Sequence, residues 1–129
     1  MNNPKMARLS RIVSELKSSG KKFFAECLSH QMLCRELGLK INKKDDPSQG
    51  VQKVIDYFDG EKQRVGFYNS FAAQYEEIAD VEMAYDQNSG EVHAMRNSHF
   101  ASFQFHADSI FSTDGFKLFG DTLEDLMKS

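Results

Sequence analysis

The stretch FFAECLSHQMLC, residues 23–34, joins a short apolar run to an amphipathic one with a cysteine at the seam. Lys22 to Cys27 reads as a strand, and Leu28 to Leu37 as a helix stopped by Gly38. A strand that enters a helix without a loop holds the residue at the join on a tight turn. There it faces the unpaired N–H groups and positive potential of the first helical turn. Cys27 stands at that join, and Ala25 and Ser29, two residues to either side, are small but not glycine. On these residues alone two readings stay open: a thiol nucleophile, or a small buried side chain. Cys34 falls on the core side of the helix and reads as structural.

The two cysteines are not expected to pair. Two helical turns would separate them by about 10 Å along the axis, beyond the roughly 7 Å limit for bridged Cα atoms. Their C-x6-C spacing has no histidine at a matching distance, so no metal site is expected, and no cofactor motif is present.

Around this unit the chain alternates helical and extended patterns. Asn3-Pro4 reads as the start of an amphipathic helix carrying Met6, Leu9, Ile12, Val13 and Leu16, with Gly20 as its stop. Leu39 to Asn42 alternates as a short strand, and Lys43 to Gly50 is a polar loop. Two hairpins are expected: Val51 to Phe58 with Arg64 to Tyr68, and Val81 to Asp86 with Glu91 to Arg96. Phe100 to Phe105 adds a strand, and Gly115 to Met127 a closing helix. The 129 residues fit a single α/β domain, with the Cys27 and Phe100 strands parallel in its sheet and an antiparallel lobe between them.

Composition narrows the function classes. A formal charge of −3 gives no basic surface for phosphates, which argues against nucleic acid or anionic membranes as partners. No apolar run approaches the roughly 20 residues that span a bilayer, and no signal-peptide core opens the chain, so a cytoplasmic protein is expected.

A thiolate nucleophile needs an imidazole. His30 reads as a surface or capping side chain, His93 as a solvent-facing strand residue, and His99 as part of the Asn97-Ser98-His99 turn. His106 differs because it ends the Phe100–Phe105 strand, and carboxyl ends of strands are where α/β sites form. Asp108, two residues on, would point the same way and could orient it.

Taken in order, these pieces resemble the class I glutamine amidotransferases, whose GxCxGxQ elbow precedes a later HPE motif. The elbow here is Ala25-Glu26-Cys27-Leu28-Ser29-His30-Gln31, and the later motif His106-Ala107-Asp108 follows Ser102-Phe103-Gln104-Phe105. Val65-Gly66-Phe67-Tyr68-Asn69-Ser70-Phe71 stands in the place of the YHS-type segment that grips the α-carboxylate of glutamine. The wording is most similar to the amidotransferase domains of phenazine-pathway aminodeoxyisochorismate synthase and anthranilate synthase component II. The resemblance implies a flavodoxin-like fold with a mostly parallel central sheet. It also implies that the family's opening strands and oxyanion loop belong ahead of Asn3, so that residues 1–129 read as the C-terminal part of one domain. It further implies that Cys27, His106 and Asp108 are catalytic and that Leu28 supplies an oxyanion N–H. Gln31, Ser70 and Phe71 would bind glutamine, and the ammonia would pass to a chorismate-binding synthase domain or subunit. Two other readings stay open: a silent fragment that binds such a partner, and a cysteine hydrolase of the γ-glutamyl hydrolase kind.

Overall fold

The computed structural model describes residues 4–44, 50–67, 69–106 and 115–128. Its first helix, α1 (Pro4–Ser18), turns Val13 inward with Leu9 and Leu16 beside it, while Ile12 lies on the exposed side of the expected stripe. Strand β1 (Phe23–Glu26) runs through Cys27 into helix α2 (Leu28–Glu36). That helix ends as its glycine foretells. Gly38 takes a positive φ of 95°, its N–H donates to the Arg35 carbonyl and the Leu39 N–H to the Cys34 carbonyl, each at 3.0 Å, capping the last turn.

The remaining strands are β2 (Ile41–Lys43), β3 (Val51–Asp56), β4 (Lys62–Phe67), β5 (Phe71–Ala73), β6 (Glu82–Tyr85), β7 (Val92–Arg96) and β8 (Phe100–Phe103). The chain closes on α3 (Gly115–Lys128), which packs against β8. Both expected hairpins form: β3 pairs antiparallel with β4, and β6 with β7. Strand β5, which pairs with β2, has no counterpart in the sequence reading.

The main sheet has the order β1-β8-β7-β6. Its β1–β8 pair is parallel, with Phe23 beside Phe100 and Glu26 beside Phe103, as expected. The other two pairings are antiparallel, so among the described strands the sheet is mixed rather than mostly parallel. The cause is local. The Asn97 side-chain oxygen accepts the N–H groups of His99 and Phe100, and that of Asp86 accepts those of Asn88 and Ser89, building tight turns. Connections this short can only reverse the chain; a parallel neighbour needs a long crossover.

Period-two alternation sends neighbouring side chains to opposite faces of this sheet. One face packs Phe23, Ala25, Met95 and Phe100 against Val13 of α1 and Met32 and Leu33 of α2. The other packs Ala94, Phe103 and Phe105 against Ile55, Val65 and Phe67 of the β3–β4 hairpin. Helices α1 and α2 thus cover one face, and the β3–β4 hairpin the other, where the Tyr57 hydroxyl meets Thr122 of α3 at 3.2 Å; the carboxyl ends of β1 and β8 lie side by side.

Candidate active site

Cys27 has φ 55° and ψ −108°, a conformation that a side chain adopts at a cost of about 1–3 kcal/mol. The surroundings hold it there from both sides. Its N–H donates to the Phe103 carbonyl at 2.7 Å, and its carbonyl accepts the Gln31 N–H of the first helical turn at 3.1 Å. The thiol is half-buried and free. Burial pushes its pKa up, the Leu28 N–H directed at it pulls down, and the Glu26 carboxylate pushes up again.

Beside it lies Gln104, fully buried, whose Nε2 is 3.9 Å from the Cys27 Sγ. The Oε1 of Gln104 accepts from Gln31 Nε2 at 3.1 Å, and the same nitrogen donates to the Phe71 carbonyl at 3.0 Å. Asn69 Nδ2 donates to that carbonyl too (2.8 Å) and to Glu91 Oε1 (3.1 Å), which also pairs with Lys44 at 3.4 Å. A continuous polar chain therefore runs from the thiol through Gln104, Gln31 and Phe71 to Glu91. It links three of the residues singled out from the sequence, Cys27, Gln31 and Phe71, through two that were not, Gln104 and Asn69. Gln104 lay within the quoted motif, and its polarity inside the Phe103–Phe105 apolar run was the signal that could have found it.

Leu28 and Ser70 are exposed, and the Ser70 carbonyl accepts the Lys44 N–H at 2.8 Å. His106 is half-buried where the chain leaves β8. Its N–H donates to the Gly66 carbonyl of β4 at 3.0 Å, bridging the sheet end to the hairpin. Asp108 lies outside the described residues, as do Asn3, Tyr68 and most of the Lys43–Gly50 loop.

Two histidine readings are overturned. His30 is neither on the surface nor a cap: it is fully buried, with Nδ1 2.8 Å from the Ser102 hydroxyl and Nε2 3.5 Å from Cys34 Sγ. Burial drives its pKa down to about 3. The same burial pushes the Cys34 thiol well up, so the contact between His30 and Cys34 is one of neutral, buried side chains. His93 does not face bulk solvent either; it is 5% exposed, packs at 5.4 Å from the Phe67 ring, and burial lowers its pKa. Both errors share a cause, since polar side chains at these positions pack against sheet faces covered on both sides. His99 sits in its turn, edge-on to Phe23 at 5.3 Å. Among the described residues no three His, Cys, Asp or Glu side chains converge as a metal site.

Comparison with known proteins gives the same outline. The family model for glutamine amidotransferase class-I matches residues 1–126. Two curated relatives, both named "Anthranilate synthase, phenazine specific", come from Pseudomonas chlororaphis and Pseudomonas fluorescens. The first is 45% identical over 130 residues and the second 44% over 127, covering 95% and 93% of this chain. The chain spans 20% of the length of each. Among solved structures, a GMP synthase subunit from Thermoplasma acidophilum superposes with a TM-score of 0.78 at 12% identity, over 95% of this chain and 65% of its own. A glutamine amidotransferase from Thermotoga maritima superposes at 0.67 with 15% identity, over 97% and 56%. With the fold, the elbow and the matched residues agreeing, the chain belongs to the class I glutamine amidotransferase family.

Proposed function

We propose that this chain is a glutaminase module that releases ammonia from glutamine for a chorismate-binding synthase domain or subunit, in phenazine- or anthranilate-type biosynthesis. The observation that carries the reading is the strained Cys27 turn at the strand–helix join, tied through Gln104 to Gln31 and the Phe71 backbone. In the reaction His106 takes the thiol proton and Cys27 Sγ attacks the carboxamide carbon of glutamine. The C–N bond breaks, His106 returns the proton to the departing ammonia, and a glutamyl thioester remains. His106 then removes a proton from water, the hydroxide attacks the thioester, and glutamate leaves as the thiol is restored. Asp108 orients His106, and the Leu28 N–H stabilises the oxyanion. Gln31 contacts the bound glutamine, while Ser70 and Phe71 hold its amino-acid end.

The names of the curated relatives support the synthase partner. Among the described residues no helix is long and apolar enough to cross a membrane, in keeping with action in the cytoplasm. The half-buried position of the Cys27 thiol next to the Glu26 carboxylate gives a second reading its footing, a chain that docks on a synthase without turning over glutamine. Glutamate release from glutamine, measured with and without the synthase and repeated with Cys27→Ala, separates the two. Release that disappears in the variant, with a glutamyl adduct trapped on Cys27 by mass spectrometry, supports the glutaminase. No release even with the synthase present overturns it.

A further inference from the structure

His30 is a fully buried polar side chain to which the glutaminase reaction gives no part. A leucine would fill much of the same space without desolvating a ring nitrogen, so what the imidazole adds is direction. Its Nδ1 lies 2.8 Å from the Ser102 hydroxyl of β8, and the ring is also hydrogen-bonded to the Val92 backbone of β7. One side chain of α2 is thus pinned to two neighbouring strands of the sheet.

The next residue of α2 reaches the same stretch of chain. Gln31 Nε2 donates to Gln104 Oε1 at 3.1 Å, and Gln104 lies two residues beyond Ser102, so both face the helix. The bonds from His30 and Gln31 form adjacent rungs between α2 and the end of β8. They sit beside the thiol: the Gln31 N–H donates to the Cys27 carbonyl at 3.1 Å, the Leu28 N–H is directed at the sulfur, and Gln104 Nε2 stands 3.9 Å from Sγ. A single rung would let the helix pivot about it, whereas two fix its rotation. The Gln104 rung meets the sulfur itself. The His30 rung does not, and acts only through the setting of the helix.

We propose that His30 and Ser102 are a pair of positioning residues for the nucleophile: their bond sets the angle at which α2 leaves the elbow, and with it the aim of the Leu28 N–H and the Gln104 amide at Cys27 Sγ. The inference deepens the glutaminase reading and rests on it for its catalytic consequence, but the aim of the two donors can be measured without turnover.

The pH profile of iodoacetamide alkylation, followed at Cys27 by mass spectrometry in the full chain, reads that aim directly. Ser102→Ala should move the midpoint of the profile up by about half a pH unit, a roughly threefold slower reaction at neutral pH, because the donors to the thiolate are misdirected. His30→Leu should do the same, and the double variant should shift no further than the larger single change, since both remove one bond. The kcat for glutamate release should fall in the same proportion as the alkylation rate. If even the unaltered protein releases no glutamate, the glutaminase reading fails while the alkylation shifts still support the pair. An unmoved Cys27 profile in a variant that keeps its circular dichroism spectrum overturns the proposal, as do additive shifts. Loss of the fold in both single variants makes the bond a matter of stability alone and overturns it as well.

Discussion

The Cys27 N–H donates to the Phe103 carbonyl at 2.7 Å, so the strained residue is fastened to the strand that leads on to His106. Parallel pairing of β1 with β8 sets that bond, because Glu26 lies beside Phe103 and Cys27 is the next residue along. The turn and the end of β8 are consequently one rigid unit. A side chain at φ 55° and ψ −108° stores strain that glycine would not feel. Cys27→Gly should therefore be more stable than Cys27→Ala by about 1 kcal/mol in urea unfolding. Equal stabilities would mean the turn relaxes once the thiol is gone.

Gln104 connects Cys27 Sγ to the Gln31 amide. Gln104→Leu keeps the approximate volume but removes both the donor toward the sulfur and the acceptor for Gln31. A buried amide deprived of an acceptor costs about 1–3 kcal/mol, and denaturant unfolding should show a loss of that order. The rate at which iodoacetamide alkylates Cys27 at fixed pH should fall as well, since a thiolate loses a stabilising donor. A variant with unchanged alkylation would show that Gln104 acts on packing only.

Much of this arrangement was legible in the sequence, and the parts that were not share a physical cause. The elbow could be read because a strand, a cysteine and a helix follow one another without a loop, and both hairpins because their turns carry Asp59-Gly60 and Ser89-Gly90. The depth of each polar residue could not. His30 lies four residues before Cys34, on the same helix face, so a reading that placed Cys34 in the core carried His30 with it; polarity argued otherwise and packing prevailed. Strand β5 was missed because its three residues are too short to alternate visibly and form only by pairing with the distant β2.

Two glycines separate backbone strain from steric clash. Gly60 and Gly90 have nearly equal positive φ, 75° and 77°. An added Cβ meets nothing within 4 Å at Gly60, but at Gly90 it would lie 2.9 Å from Gln74 Oε1. Gly60→Ala should cost about 1 kcal/mol, the conformational penalty alone. Gly90→Ala should cost more, and the added part should vanish in the double variant with Gln74→Ala, measured as a double-mutant cycle. Equal costs at the two sites would show that Gln74 swings aside freely.

His30 makes stability depend on pH in a direction that can be worked out. Its pKa falls from about 6.5 unfolded to about 3 folded, because full burial among Ser102, Cys34 and the neighbouring His93 excludes the charged form. Between those values the unfolded chain binds a proton that the folded one refuses. Stability is therefore full above pH 6.5 and drains away as the pH drops toward 3, with a slope approaching about 1.4 kcal/mol per pH unit. His93, also lowered by burial, adds to the fall in the same direction. Denaturant titrations at pH 7.5, 6, 5 and roughly 4 measure it. In His30→Gln, which starts less stable but carries no titrating ring, the decline over this range should be shallower. An undiminished slope in that variant would assign the acid sensitivity to other groups.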